Sequence, residues 1–188
     1  MEISREYDGR PRCGWCGVDD LYVRYHDLEW GTPAHHDNTL FEFLTLEGAQ
    51  AGLSWYTVLQ RRDGYRKVFA NFDPEVVAKY SDKKIEKILQ DPSIIRNRQK
   101  VVSTVTNARA VIDMQREHGS LDAYLWSLGA QTGDENVVSK VMSKQLARDG
   151  FKFVGPTICL SLMQAVGMVN DHARACFRYK EVQQLRSK

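Results

Sequence analysis

The chain has 188 residues, of which 43% are hydrophobic, with four cysteines and a net charge of +2. This length fits one domain or two small lobes sharing a core, and the near-neutral balance excludes non-specific coating of nucleic acid, though not a local basic face. No apolar run reaches membrane-spanning length, and Met1 to Arg12 is charged without an apolar leader. A cytoplasmic protein is therefore expected, with cysteines serving as thiols or metal ligands rather than disulfides.

The first candidate group begins with Cys13 and His26 and is completed near the other end of the chain by His172 and Cys176. On a helix, residues four apart such as His172 and Cys176 project from one face. Two sulfurs and two imidazoles form a complete tetrahedral zinc set with no position left for chemistry. The spacing is unlike that of a zinc finger. By spacing alone the four read equally well as ordinary buried cysteines and surface histidines.

From there the pattern is helix after helix. Tyr22 to Tyr25 is the only strand-like stretch. Asp37 and Asn38 are cap residues ahead of Leu40, Phe41 and Leu44, in a helix ending at Gly52. Ser54 caps the next helix, with Trp55, Val58, Leu59 and Phe69 roughly on one face. Asp73-Pro74-Glu75 is a start signal, because proline fits the first helical position and aspartate the cap. Ile85, Ile88 and Leu89 mark a short helix stopping at Asp91-Pro92. Val101, Val105, Ala108 and Ile112 define a longer one, closed by Gly119. Ser120 opens a helix carrying Leu121, Tyr124 and Leu125. After the loop-like segment 131–136, Val138, Met142 and Leu146 mark a helix ending at Gly150. Pro156 starts another, with Ile158, Leu162 and Val166. The tail from Lys180 is charged and is expected to be mobile. The fold class is all-α, in a single domain over 1–188.

Three features are candidates for chemistry. Gly150 to Gly155 is a tight connection between helices, where Gly150 and Gly155 permit positive φ and Phe151, Phe153 or Val154 anchor the turn. Its outward N–H groups, with Lys152 and the helix start at Thr157, suit a phosphate; the plainer reading is an αα-hairpin with a solvated lysine. Glu47 lies in a small, apolar stretch at a helix end, where an acid either has a ligand or pairs with Arg61 or Arg62. Tyr22, Tyr25, Trp30 and Trp55 are flat surfaces able to stack on a base or to fill a core. Leu53, between Gly52 and Ser54, is either an exposed wedge or an ordinary turn residue.

Several segments together resemble the DNA-3-methyladenine glycosylase I family, bacterial base-excision repair enzymes of the helix-hairpin-helix superfamily. They are Arg12-Cys13-Gly14-Trp15, Tyr25-His26-Asp27, Glu29-Trp30-Gly31, Leu46-Glu47-Gly48, Gln50 to Trp55, Ile94-Ile95-Arg96, Leu125-Trp126-Ser127, Gly150 to Thr157 and Val169 to His172. The resemblance covers nearly the whole chain. It implies an all-helical glycosylase with one structural zinc on Cys13, His26, His172 and Cys176. Cys16 adds a Cys-x-x-Cys that the family pattern does not require. The resemblance also implies Glu47 as the pocket acid, Tyr25 and Trp55 as aromatic walls, and Leu53 beside Gly52 as the gap filler; Tyr22 and Trp30 remain further candidates for binding the base. Gly150, Lys152, Gly155 and Thr157 would hold a phosphate. Asp171 is read as orienting His172 or capping a turn rather than serving the sugar.

The implied partner is alkylated double-stranded DNA and the product free 3-methyladenine; nothing demands more than a monomer. No lysine is placed for a Schiff base, so strand cleavage is not expected. A DNA-binding module without catalysis and a zinc hydrolase are the other classes, and a closed four-ligand shell argues against the latter.

Overall fold

A computed structural model describes residues 1–129 and 133–186. In chain order the elements are β1 (Ile3–Ser4), β2 (Arg12–Cys13), α1 (Asp20–Leu28), α2 (Asp37–Gln50), α3 (Trp55–Leu59), α4 (Arg62–Val68), α5 (Pro74–Val77), α6 (Asp82–Ile88), α7 (Arg98–His118), α8 (Leu121–Gly129), α9 (Glu135–Arg148), α10 (Pro156–Ala165) and α11 (Phe177–Leu185). The protein is mostly helical, as its periodicity predicts. The addition is a small antiparallel pair, β1 with β2, in register Ile3 to Cys13. No described helix is long and apolar enough to cross a membrane.

The chain divides into two compact units, Met1–Ala34 with Met163–Lys188, and His35–Leu162. In the first, Asp19 caps α1 by accepting from the N–H groups of Leu21 and Tyr22, so the strand-like stretch Tyr22 to Tyr25 is helical. The charged tail is helical through Leu185, with Val182 fully buried. One anchoring residue is too little apolar pattern to announce this helix in the sequence, and residues 187–188 of the tail lie outside the described residues. His172 and Cys176 lie on a turn rather than a helix, with Cys176 as the N-cap of α11.

In the second unit α2 packs against α3, α7 and α8. Every residue from Leu40 to Ala49 is buried, so α2 is enclosed on all sides rather than lying on a surface. Phe41, Phe69, Phe72, Leu121, Leu125, Leu146 and Phe151 are among the fully buried side chains of the core.

Most caps stand as read. Ser54 accepts from Thr57 N–H, Asp73 from Glu75 and Val76, and Ser120 from Ala123. Asp37 does not cap its own helix, whose N-cap is His36; its carboxylate accepts from the N–H groups of Leu121 and Asp122 and from Gln115, and so caps α8. The single helix expected over Trp55 to Phe69 is broken into α3 and α4. Of the loop expected at 131–136, residues 131–132 lie outside the described residues. Asp134 caps α9 there, and Glu135 and Asn136 are already helical.

Candidate functional site

The first unit gathers Cys13, His26, His172 and Cys176, all buried, with their donor atoms within 4.8 Å of one another. Cys176 Sγ is 3.5 Å from His26 Nε2 and 3.7 Å from His172 Nδ1; Cys13 Sγ is also 3.7 Å from His172 Nδ1. A tetrahedral zinc with its usual bond lengths sets sulfur–nitrogen edges of about 3.5 Å, so these three edges fit such an ion. The outer ring nitrogens are already committed. His26 Nδ1 faces Asp27 Oδ1 at 2.8 Å and His172 Nε2 faces the Trp30 carbonyl at 3.0 Å, which leaves Nε2 and Nδ1 respectively to bind metal.

Asp27 is in turn held by the buried Arg12, which also binds Asp8 at 2.6 Å. A hydrogen bond to Cys176 and burial push the Cys13 thiol up. Hydrogen bonds from Cys13, His172 and His26 draw Cys176 down toward the thiolate a metal needs. Asp171 does not orient the His172 ring, because that place belongs to the Trp30 carbonyl. Burial instead raises the pKa of Asp171. Cys16 is buried outside the four-residue cage, so Cys13 is the N-terminal sulfur in it.

The second unit carries two buried glutamates on α2, and their surroundings differ. Glu42 is bound by Arg62 at 2.8 Å and Arg66 at 2.7 Å. Glu47 is 3% exposed, and no hydrogen bond reaches its Oε2 among the described residues. The alternative that Glu47 pairs with Arg61 or Arg62 is thus closed: Arg62 holds Glu42, and Arg61 donates to the Thr57 carbonyl. Burial alone pushes the Glu47 carboxyl up to about 8. A carboxyl buried without compensation is costly and is ready to receive a cation or a donor.

Around Glu47 the same unit places the turn and the hairpin. Gly52 has φ of 79°, and Leu53 beyond it is 41% exposed. Gly150 ends α9 in the left-handed region, as expected, but Gly155 does not adopt it. Phe153 does, at φ of 55°. Phe151 and Val154 are the buried anchors, while Lys152, Gly155 and Thr157 are exposed. No acceptor among the described residues receives the N–H of Val154 or Gly155. Tyr124 donates its hydroxyl to Asp149 at the head of the turn.

Sequence reasoning missed the residue that holds this hairpin, Asn107 on α7. Its side chain donates to the Lys152 carbonyl at 3.0 Å and accepts from the Lys152 N–H at 2.7 Å. The available signal is a buried amide interrupting the apolar face of α7.

Of the aromatic candidates, Trp55 is half-buried at the first position of α3 in the second unit. Tyr22, Tyr25 and Trp30 belong to the first. There Trp15 packs against Tyr22 at 5.0 Å, Tyr25 at 6.3 Å and Trp30 at 4.9 Å. The Trp30 ring also meets His172 edge-on at 4.6 Å, so it shields a ligand of the cage.

The profile of the methyladenine glycosylase family matches residues 15–179. DNA-3-methyladenine glycosylase 1 of Escherichia coli is 43% identical over 180 residues, covering 89% of this chain and 96% of that protein. The Haemophilus influenzae DNA-3-methyladenine glycosylase is 38% identical over 177 residues, covering 88% and 96%. A crystal structure of 3-methyladenine DNA glycosylase I superposes with TM-score 0.82 at 42% identity, covering 88% of this chain and 98% of the other. A structure of the Staphylococcus aureus 3-methyladenine DNA glycosylase I, described for its recognition of 3-methyladenine, gives TM-score 0.82 at 31% identity, covering 88% and 95%. The chain belongs to the methyladenine glycosylase family.

Proposed function

We propose that this protein is a monofunctional DNA glycosylase that hydrolyses the N-glycosidic bond of 3-methyladenine in alkylated duplex DNA, as a step of base-excision repair. The observation that carries the reading is Glu47, buried on α2 without a partner for Oε2 in a chain of this family. Methylation at N3 makes adenine a cation. A carboxyl in a dry site attracts that ring far more than a neutral adenine, because the low dielectric strengthens the interaction.

The carboxyl pushed up to about 8 is mostly protonated near neutral pH in the free protein. An arriving cation favours the ionised form, so Glu47 loses its proton as the damaged base enters. Trp55, half-buried at the start of α3 in the same unit as Glu47, supplies a ring face to that cation.

The alkylated base is a good leaving group and needs no protonation. The remaining work is to extrude the nucleotide, recognise it, and stabilise an oxocarbenium-like sugar while water attacks. We assign the extrusion to Leu53, an exposed apolar side chain beyond Gly52 that fills the vacated gap. Gly150, Lys152, Gly155 and Thr157, as a helix-hairpin-helix motif, hold a backbone phosphate. No lysine is assigned to a Schiff base, so the sugar–phosphate strand stays intact; Lys100, near Glu47, has its amine committed to two carbonyls.

Cys13, His26, His172 and Cys176 would hold one structural zinc. With four protein ligands the ion supplies no nucleophile; it fastens the start of the chain to its end. The protein is taken to act as a monomer in the cytoplasm.

The test is to incubate the purified protein with methylated DNA and identify the liberated bases by chromatography. Release of 3-methyladenine without strand breaks is expected. Binding to the duplex with no base released under single-turnover conditions would instead make the protein a recognition module.

A further inference from the structure

Helix α7 touches both segments that flank Glu47, and it does so with two side chains seven residues apart. Lys100 Nζ donates to the carbonyls of Ala49 and Ala51, each at 2.7 Å, and so closes the end of α2 just beyond Glu47. Asn107, 3% exposed, makes its two hydrogen bonds to the backbone of Lys152 in the hairpin. Seven residues are about two helical turns, so both side chains leave the same face of α7 roughly 10 Å apart.

The next hairpin residue, Phe153, has a left-handed backbone that a bulky side chain rarely adopts, and it packs against Gly48, the neighbour of Glu47. The hairpin is thus seated on the helix of the pocket acid through a strained residue, and Asn107 fixes the residue just before the strain. We propose that Asn107 is a positioning residue for base excision: with Lys100 it makes α7 a brace that holds the phosphate-binding hairpin in fixed register with Glu47. This rests on the glycosylase reading above. Asn107 touches neither the base nor the phosphate; it acts through the backbone of Lys152 and Phe153.

The test compares wild type, Asn107→Leu and Asn107→Asp in single-turnover release of 3-methyladenine, at a temperature well below melting and at saturating enzyme. Hydrogen exchange at the Lys152 amide is followed in parallel. Leucine keeps the branched outline, though with bulkier methyl ends, and removes both hydrogen bonds; aspartate keeps the acceptor for the Lys152 N–H. Asn107→Leu should expose the amide to exchange and slow release at least tenfold, as small misplacements at reacting groups do, while Asn107→Asp recovers part of both. A structural role alone would lower the melting temperature and leave the low-temperature rate unchanged, and that result overturns the proposal. So does an amide still protected in Asn107→Leu. If wild type itself releases no 3-methyladenine, the glycosylase reading fails, whereas the exchange result still reports on the clamp.

Discussion

A methyl group placed on Gly48 would stand 3.1 Å from Cβ of Phe153. The hairpin therefore reaches the helix that carries Glu47 at a position where only hydrogen fits without displacement. Gly48→Ala gains up to about 1 kcal/mol of helix propensity and loses a similar amount to the forced shift of Phe153. Thermal stability is expected to change little while single-turnover base release falls. Equal rates in the two proteins would show that the contact has no bearing on catalysis.

Glu47 costs the fold stability in a defined pH window. Its pKa rises from an ordinary 4.5 to about 8 on folding. Between those values the unfolded chain ionises this residue while the folded chain keeps its proton, so stability falls as pH rises and levels off above 8. Glu47→Gln has no such proton. Its stability relative to wild type is expected to climb across that window, by up to roughly 3–5 kcal/mol. Denaturant unfolding at pH 5, 6.5 and 8 measures this directly; a difference constant with pH would contradict the buried, uncompensated carboxyl.

The four-residue cage has its own consequence. A metal joining Cys13 to Cys176 closes most of the chain into one loop and removes freedom from the unfolded state. Cys176→Ser should lose zinc and melting temperature together, with a stability loss of about 2–5 kcal/mol by analogy with long cross-links. Zinc analysis beside thermal melts is the check. Full zinc content with abolished activity would argue against a purely structural ion.

What could be read along the chain was local. Asp73-Pro74, Ser54 and Ser120 announce helix starts because a cap bonds to N–H groups two or three residues away. Asp37 looks the same, yet the backbone it caps, at Leu121, is 84 residues distant, which no local pattern reveals. Asn107 was missed for the same reason, since its partner Lys152 lies 45 residues on.

The four-residue cage was legible as a Cys and His set at the two ends of the chain and, through the resemblance, as one group; spacing alone did not show that residues 13 and 172 meet. Glu47 stood out as an acid in an apolar stretch. Its lack of a partner became plain only once Arg62 was found on Glu42.

The most direct test of the account is the rate at which wild type and Glu47→Gln release 3-methyladenine from methylated duplex DNA at saturating enzyme, with circular dichroism confirming the fold of each. If the carboxylate stabilises the cationic base and the charge developing on the sugar, the variant should be slower by about a hundredfold or more. Release at the wild-type rate by a natively folded Glu47→Gln protein would contradict it.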